Sequence, residues 1–128
     1  MLSKKNILYI EDNSDNQIIM EALVRRSLNV DIESVSCAEE GMARCQQQLP
    51  NIILMDIRLP GMDGVEAIRQ LKRDSRTRDI PVIAVSADAM DAVVQKALQA
   101  GAEKYITKPF EISEVVSAIK YHLPDSYL

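Results

Sequence analysis

Three stretches of the chain, Ile7-Leu8-Tyr9-Ile10, Ile52-Ile53-Leu54-Met55 and Val82-Ile83-Ala84-Val85, are apolar at every position. A strand with one face in water alternates apolar with polar side chains, so unbroken runs of this kind describe strands covered on both faces. Such strands belong to parallel sheets, whose neighbours are joined by long crossovers. Two further runs complete the set, Asp31 to Ser36 and Lys104 to Ile106, and the first run begins at Asn6. Val30-Asp31-Ile32-Glu33-Ser34-Val35 alternates, which predicts an edge strand.

The intervening stretches carry helical signals. Ser14 with Gln17, Ser36 with Glu39, and Asp63 with Glu66 have capping-box spacing. Ala38, Met42, Cys45 and Leu49 form one apolar stripe, and Ile112, Val115, Val116, Ile119 and Leu123 form another. Pro50 and Gly101 stand where the second and fourth helices should stop. Strands thus alternate with helices at about 25 residues per unit, which predicts a parallel sheet with helices on both faces and right-handed crossovers.

Length and charge narrow the function. A chain of 128 residues is expected to be one domain, with its core over about 5–122, and Pro124 to Leu128 is too short for a second. Fifteen basic against nineteen acidic residues leave a net charge of −4 with His122 neutral. That balance, with four Tyr, Phe110 and no Trp, argues against direct nucleic-acid binding through phosphate neutralisation and base stacking. A protein or a metal is the expected partner. After Lys4 and Lys5 only five apolar or near-apolar residues precede Glu11, short of a signal peptide, and no run approaches a membrane span. Cys37 and Cys45, eight positions apart on one expected helix, would lie roughly 12 Å apart along its axis, which excludes a disulfide. Reduced core cysteines in a cytoplasmic protein are expected.

In an open parallel sheet, ligands bind beyond the carboxyl ends of the strands. The residues there are Glu11 and Asp12, Asp56, Ser86, and Lys108. Each has an ordinary use alone: an acidic pair complements a helix dipole, an Asp or Ser caps a helix, a Lys is a solvated charge. Together they crowd carboxylates that repel unless a cation sits among them, and hard oxygen ligands of this kind suit Mg²⁺.

With these residues the chain resembles the receiver domain of bacterial two-component response regulators, over about Lys5 to His122. The matching positions are Glu11-Asp12, Asp56 followed by Pro60-Gly61-Met62-Asp63-Gly64, Ser86-Ala87, and Tyr105-Ile106-Thr107-Lys108-Pro109-Phe110. The resemblance implies a flavodoxin-like fold with strand order 2-1-3-4-5. It implies that Asp56 accepts a phosphoryl group from a histidine kinase or histidine phosphotransfer protein. Asp12, Asp56 and the backbone carbonyl of Arg58 would hold Mg²⁺, with Glu11 nearby or acting through water. Lys108 and Ser86 would contact the phosphoryl oxygens, and the peptide before Pro109 would be cis. Tyr105 would follow the Ser86 switch and alter the surface of the fourth helix, fifth strand and fifth helix. Arg58 and Asp88 would flank the entrance for attacking water and pair across it, slowing phosphoryl loss. Ala87 is small where the phosphodonor passes.

Two other readings compete. A haloacid-dehalogenase-like phosphatase carries a second acid two residues after its nucleophile, and Arg58 stands there instead. A receiver-like interaction module independent of phosphorylation typically loses an acid, the acceptor or the lysine, and all are present here. The expected protein is therefore a signalling switch and not a turnover enzyme, with an unidentified downstream protein target. The fourth helix, through Met90, Val93, Val94, Ala97 and Leu98, is the expected partner face or phosphorylation-dependent dimer face outside the core, although most of that stripe should pack on the sheet.

Overall fold

A computed structural model describes residues 4–123; the tail from Pro124 to Leu128 lies outside them. The elements are β1 (Lys5–Ile10), α1 (Ser14–Ser27), β2 (Val30–Val35), α2 (Ala38–Gln47), β3 (Ile52–Met55), α3 (Gly64–Arg73), β4 (Val82–Ser86), α4 (Asp91–Ala100), β5 (Lys104–Thr107) and α5 (Ile112–His122). The strands form one sheet in the order β2-β1-β3-β4-β5, with every pairing parallel.

The unbroken apolar runs are the three central strands. Alternation along each divides its side chains between two cores. Leu8, Ile10, Ile53, Met55, Val82 and Ala84 join the cluster under α2, α3 and α4. Ile7, Tyr9, Ile52, Leu54, Ile83 and Val85 join the cluster under α1 and α5. β2 lies at an edge, and its alternating pattern, Val30 and Ile32 buried between exposed Asp31 and Glu33, is that of a strand wet on one side.

Helix starts follow the expected spacing only in part. Asp63 caps α3, its carboxylate accepting the Glu66 N–H at 2.9 Å. Ser14 does not cap α1; Asn13 does, accepting from the Asn16 N–H at 2.9 Å, and Gln17 turns instead to the Glu11 carbonyl. Ser36 does not cap α2 either. Cys37 stands at that position without a side-chain capping bond, its thiol donating instead to the Glu40 carboxylate at 3.6 Å, and the Glu39 carboxylate accepts from the Met62 N–H at 3.3 Å. Glu39 thereby shares its charge between its own backbone N–H in the first turn of α2 and the loop after β3, and both bonds hold its carboxyl below the usual range.

Three packing expectations need correction. Leu49 lies past the end of α2 and is 41 % exposed, because the chain turns into β3 before that position reaches the sheet. Cys37 is half-buried, while Cys45 is in the core; both are free thiols. The α4 stripe packs only in part: Ala97 is buried, Val93 is half-buried against the core and Val94 half-buried, while Met90 and Leu98 are 64 % and 38 % exposed. α4 rests chiefly against α3 and β5.

Two glycines are required by geometry. Gly101 ends α4 at φ +126, a conformation few side chains tolerate. A Cβ on Gly64 would sit 2.4 Å from the Asp56 carbonyl oxygen, so only glycine lets α3 start directly against the end of β3. At the opposite end of the sheet Lys72 serves structure alone. Its ammonium donates to the Arg78 and Ile80 carbonyls and to Glu103, whose other oxygen accepts the Val82 N–H.

Candidate functional site

Backbone bonds continue past the strand ends and set the site residues side by side. The Glu11 N–H donates to the Val35 carbonyl at 3.0 Å, the Asp56 N–H to the Ile10 carbonyl at 3.0 Å, and the Lys108 N–H to the Ser86 carbonyl at 2.9 Å. These bonds tie the ends of β2, β1 and β3 together and the ends of β4 and β5 together, and the β3–β4 pairing joins the two groups into one rim. The peptide between Lys108 and Pro109 is cis.

The structure brings the predicted acids together. Carboxylate oxygens of Glu11, Asp12 and Asp56 lie within 4.8 Å of one another. Glu11 and Asp56 are buried, at 1 % and 6 % exposure, and Asp12 faces solvent. The Lys108 ammonium enters from β5 and sits 2.5 Å from Glu11 Oε1 and 3.3 Å from Asp56 Oδ2. The shorter contact is to Glu11, so the lysine sits beside Asp56 and chiefly on its neighbour.

That asymmetry separates the two buried acids. Burial pushes the Glu11 carboxyl up, but the Lys108 ammonium, the Asn13 N–H and the Tyr9 hydroxyl together outweigh it, and the net direction is down. For Asp56 burial prevails, helped by the Glu11 charge, over Lys108, the Arg58 N–H and Ser86; its carboxyl lies above the usual range. Lys108 loses some affinity for its proton through burial, but the two carboxylates more than restore it, and its direction is up.

The hydroxyl and the outer residues complete the rim. Ser86 is wholly buried, adjoins Asp56, and accepts the Asp88 N–H at 3.4 Å. The Arg58 N–H donates to Asp56 Oδ1 at 3.1 Å. The Arg58 guanidinium reaches Asp88 Oδ2 through Nε at 2.8 Å and again through a second nitrogen. Asp88 also accepts the Met90 N–H at the start of α4, and that bond and Arg58 hold its carboxyl below the usual range. Tyr105, half-buried, donates its hydroxyl to the Asp88 carbonyl at 2.5 Å. Asp88 therefore joins the loop after β3, the end of β4, the start of α4 and the ring on β5. Ala87 is exposed beside it, with no side chain to obstruct approach.

The residues present fit a divalent cation of the magnesium type. The acidic cluster supplies only hard oxygen donors, one of them open to solvent, and Lys108 is the one ammonium shown against it. Three carboxylates against one ammonium leave negative charge that a cation would neutralise.

Sequence reasoning missed three partners of Glu11. Tyr9 donates its hydroxyl to Oε1 at 3.1 Å, Asn16 its amide to the same oxygen at 3.4 Å, and Gln17 its amide to the backbone carbonyl at 2.5 Å. Tyr9 could have been found, because residues two apart on a strand share a face.

Comparison with known proteins gives the same picture. The family model for the response regulator receiver domain matches residues 7–120. The polar-differentiation response regulator DivK of Brucella ovis is 36% identical over 122 residues, covering 95% of this chain and 98% of DivK. The receiver domain of the sensor histidine kinase PA1611 from Pseudomonas aeruginosa PAO1, solved with a magnesium ion coordinated in its active site cleft, is 32% identical. It superposes with TM-score 0.84 over 93% of this chain and 97% of that one. The chemotaxis response regulator CheY4 of Vibrio cholerae, at 17% identity and TM-score 0.85 over 94% of this chain and all of that one, shares the fold.

Proposed function

The chain belongs to the response regulator receiver domain family of two-component signalling, and we propose that it is a switch thrown by phosphorylation of Asp56. The observation that carries this reading is the placement of Asp56. It is a buried carboxylate at the end of a central strand, with the Arg58 N–H on one oxygen and the Lys108 ammonium near the other.

A carboxylate oxygen of Asp56 attacks the phosphorus of a phosphohistidine on a kinase or phosphotransfer protein. An oxygen–phosphorus bond forms, the phosphorus–nitrogen bond breaks, and the imidazole leaves with its electron pair. Charge on the transferred oxygens is met by Lys108 as a point charge and by the Ser86 hydroxyl. Mg²⁺, held by Asp12, Asp56 and the Arg58 carbonyl with Glu11 close by, would supply further neutralisation when bound. Asp56 is consumed in each event, so the chain acts as a switch with self-directed chemistry and not as a turnover enzyme.

Ser86 and Tyr105 pass the change outward. Both contact Asp88, so movement of the hydroxyl toward a phosphoryl group alters the support of the Tyr105 ring and of the start of α4. The readout surface is α4-β5-α5, where Met90, Leu98 and Tyr121 are exposed, and its partner is a downstream protein or a second phosphorylated copy. No helix among the described residues is long and apolar enough to cross a membrane, and a cytoplasmic location accords with a kinase-fed switch.

Incubation with phosphoramidate and Mg²⁺ tests the reading by intact mass. One phosphoryl group is gained, and the gain disappears under chelation. An unchanged mass in Mg²⁺ would overturn it in favour of a phosphorylation-independent interaction module.

The Arg58 and Asp88 pair covers the side from which water would reach the phosphoryl group. Arg58→Ala is expected to shorten the aspartyl-phosphate lifetime by about fivefold, a modest change in barrier. Equal lifetimes, followed by loss of the phosphorylated mass over time, would leave the pair a surface contact without effect on the chemistry.

A further inference from the structure

Tyr9 carries the one side-chain hydroxyl within the three unbroken apolar runs. It is 1 % exposed and packs in the cluster under α1 and α5, where a phenylalanine would fill the same space. A buried hydroxyl is costly without a partner, and the partner here is Glu11 Oε1 at 3.1 Å. Lys108 takes that same oxygen at 2.5 Å. An O–H···O bond normally closes to about 2.7–2.8 Å, so the hydroxyl stands off an oxygen the ammonium already occupies.

We propose that Tyr9 is a positioning residue that frees Lys108 to move from Glu11 to a phosphoryl group on Asp56. Lys108 stands between two acceptors, and its nearer one is not the phosphoacceptor. Taking the ammonium from Glu11 uncovers a buried carboxylate, a change that is strongly unfavourable when nothing replaces the cation. Tyr9 replaces part of it. As the ammonium departs, the hydroxyl closes on Oε1, while the Asn13 N–H remains on Oε2 at 3.2 Å. Without the hydroxyl, Oε1 would keep only the Asn16 amide at 3.4 Å, and Lys108 would stay on Glu11. Glu11 thus serves as the resting place of the lysine, and Tyr9 sets how readily the lysine leaves it.

This inference rests on Asp56 being the phosphoacceptor, and its test separates the two. Beryllofluoride mimics a phosphoryl group on a carboxylate, and its affinity in saturating Mg²⁺ can be measured by calorimetry for wild type and Tyr9→Phe. The expected loss in the variant is about tenfold, with Mg²⁺ affinity alone kept within about twofold of wild type. The maximal rate of phosphorylation from phosphoramidate should fall by a similar factor, with the half-saturating donor concentration unchanged. Beryllofluoride affinity equal to wild type would overturn the role of Tyr9. So would a fall in Mg²⁺ affinity in step with it, since the hydroxyl would then merely keep the site in shape. Wild type that binds no beryllofluoride at all would instead overturn the phosphoacceptor reading itself.

Discussion

Lys108→Ala is expected to be phosphorylated from phosphoramidate about a hundredfold more slowly than wild type at saturating Mg²⁺, the usual cost of removing one aimed charge from a transition state. Lys108 is the ammonium beside both buried carboxylates. Its removal leaves Glu11 and Asp56 facing each other, with burial already raising Asp56. The ammonium lowers the Asp56 carboxyl, so its loss lets that carboxyl rise further. The reactive form is the ionised one, and the fraction ionised falls as pH drops through the raised value. In the metal-free protein the variant's Asp56 carboxyl therefore titrates at higher pH than that of wild type. A rate within about threefold of wild type at saturating Mg²⁺ would show that Lys108 takes no part in the transfer.

Asp56→Asn is expected to lose phosphorylation altogether, and its metal-free form is expected to unfold at a higher temperature than wild type. Asparagine is nearly isosteric and keeps an acceptor for the Arg58 N–H. What it removes is a charge that the fold disfavours. The Asp56 carboxyl is raised in the folded protein by burial, despite Lys108 nearby. A group raised in this way destabilises the fold fully at pH values above its folded value, and the penalty disappears below its ordinary one. The melting gap between variant and wild type should thus be open at neutral pH, about 3 °C or more, and close on acidification. Addition of Mg²⁺ should raise wild type more than the variant. A variant that melts below wild type at neutral pH would place Asp56 among net stabilising groups and contradict the burial penalty on its charge.

Much of this site was legible from residue patterns because strand ends are legible. Unbroken apolar runs locate β1, β3 and β4, and the residues just past them must share a rim in any parallel sheet. That reasoning finds Glu11, Asp12, Asp56 and Ser86 without knowledge of which strands are neighbours. The order β2-β1-β3-β4-β5 is another matter. Apolar patterning reports which faces are covered and not who sits beside whom, so the order came from family resemblance. The pairing of Arg58 with Asp88, thirty positions apart, is likewise an expectation of the family resemblance, which marks the positions two beyond Asp56 and two beyond Ser86.

The misses have local causes. Capping-box spacing found the start of α3, where Asp63 accepts the Glu66 N–H, and failed at α1, where Asn13 stands one residue earlier and Gln17 is drawn to the Glu11 carbonyl. The Glu39 carboxylate likewise serves the loop at Met62. On α4, helical periodicity marks an apolar stripe but not how much sheet lies beneath it; only Ala97 is buried there. Tyr9 was hidden by classification, because in an apolar run a tyrosine counts as one more apolar residue. Its hydroxyl becomes visible only once Glu11, two places on, is known to carry a buried charge.

The most direct measurement is the intact mass of wild type and Asp56→Asn after the same exposure to phosphoramidate and Mg²⁺. A single phosphoryl group on wild type and none on the variant is the predicted result. Equal phosphorylation of both proteins, or of neither, would contradict the assignment of Asp56 as the residue that throws the switch.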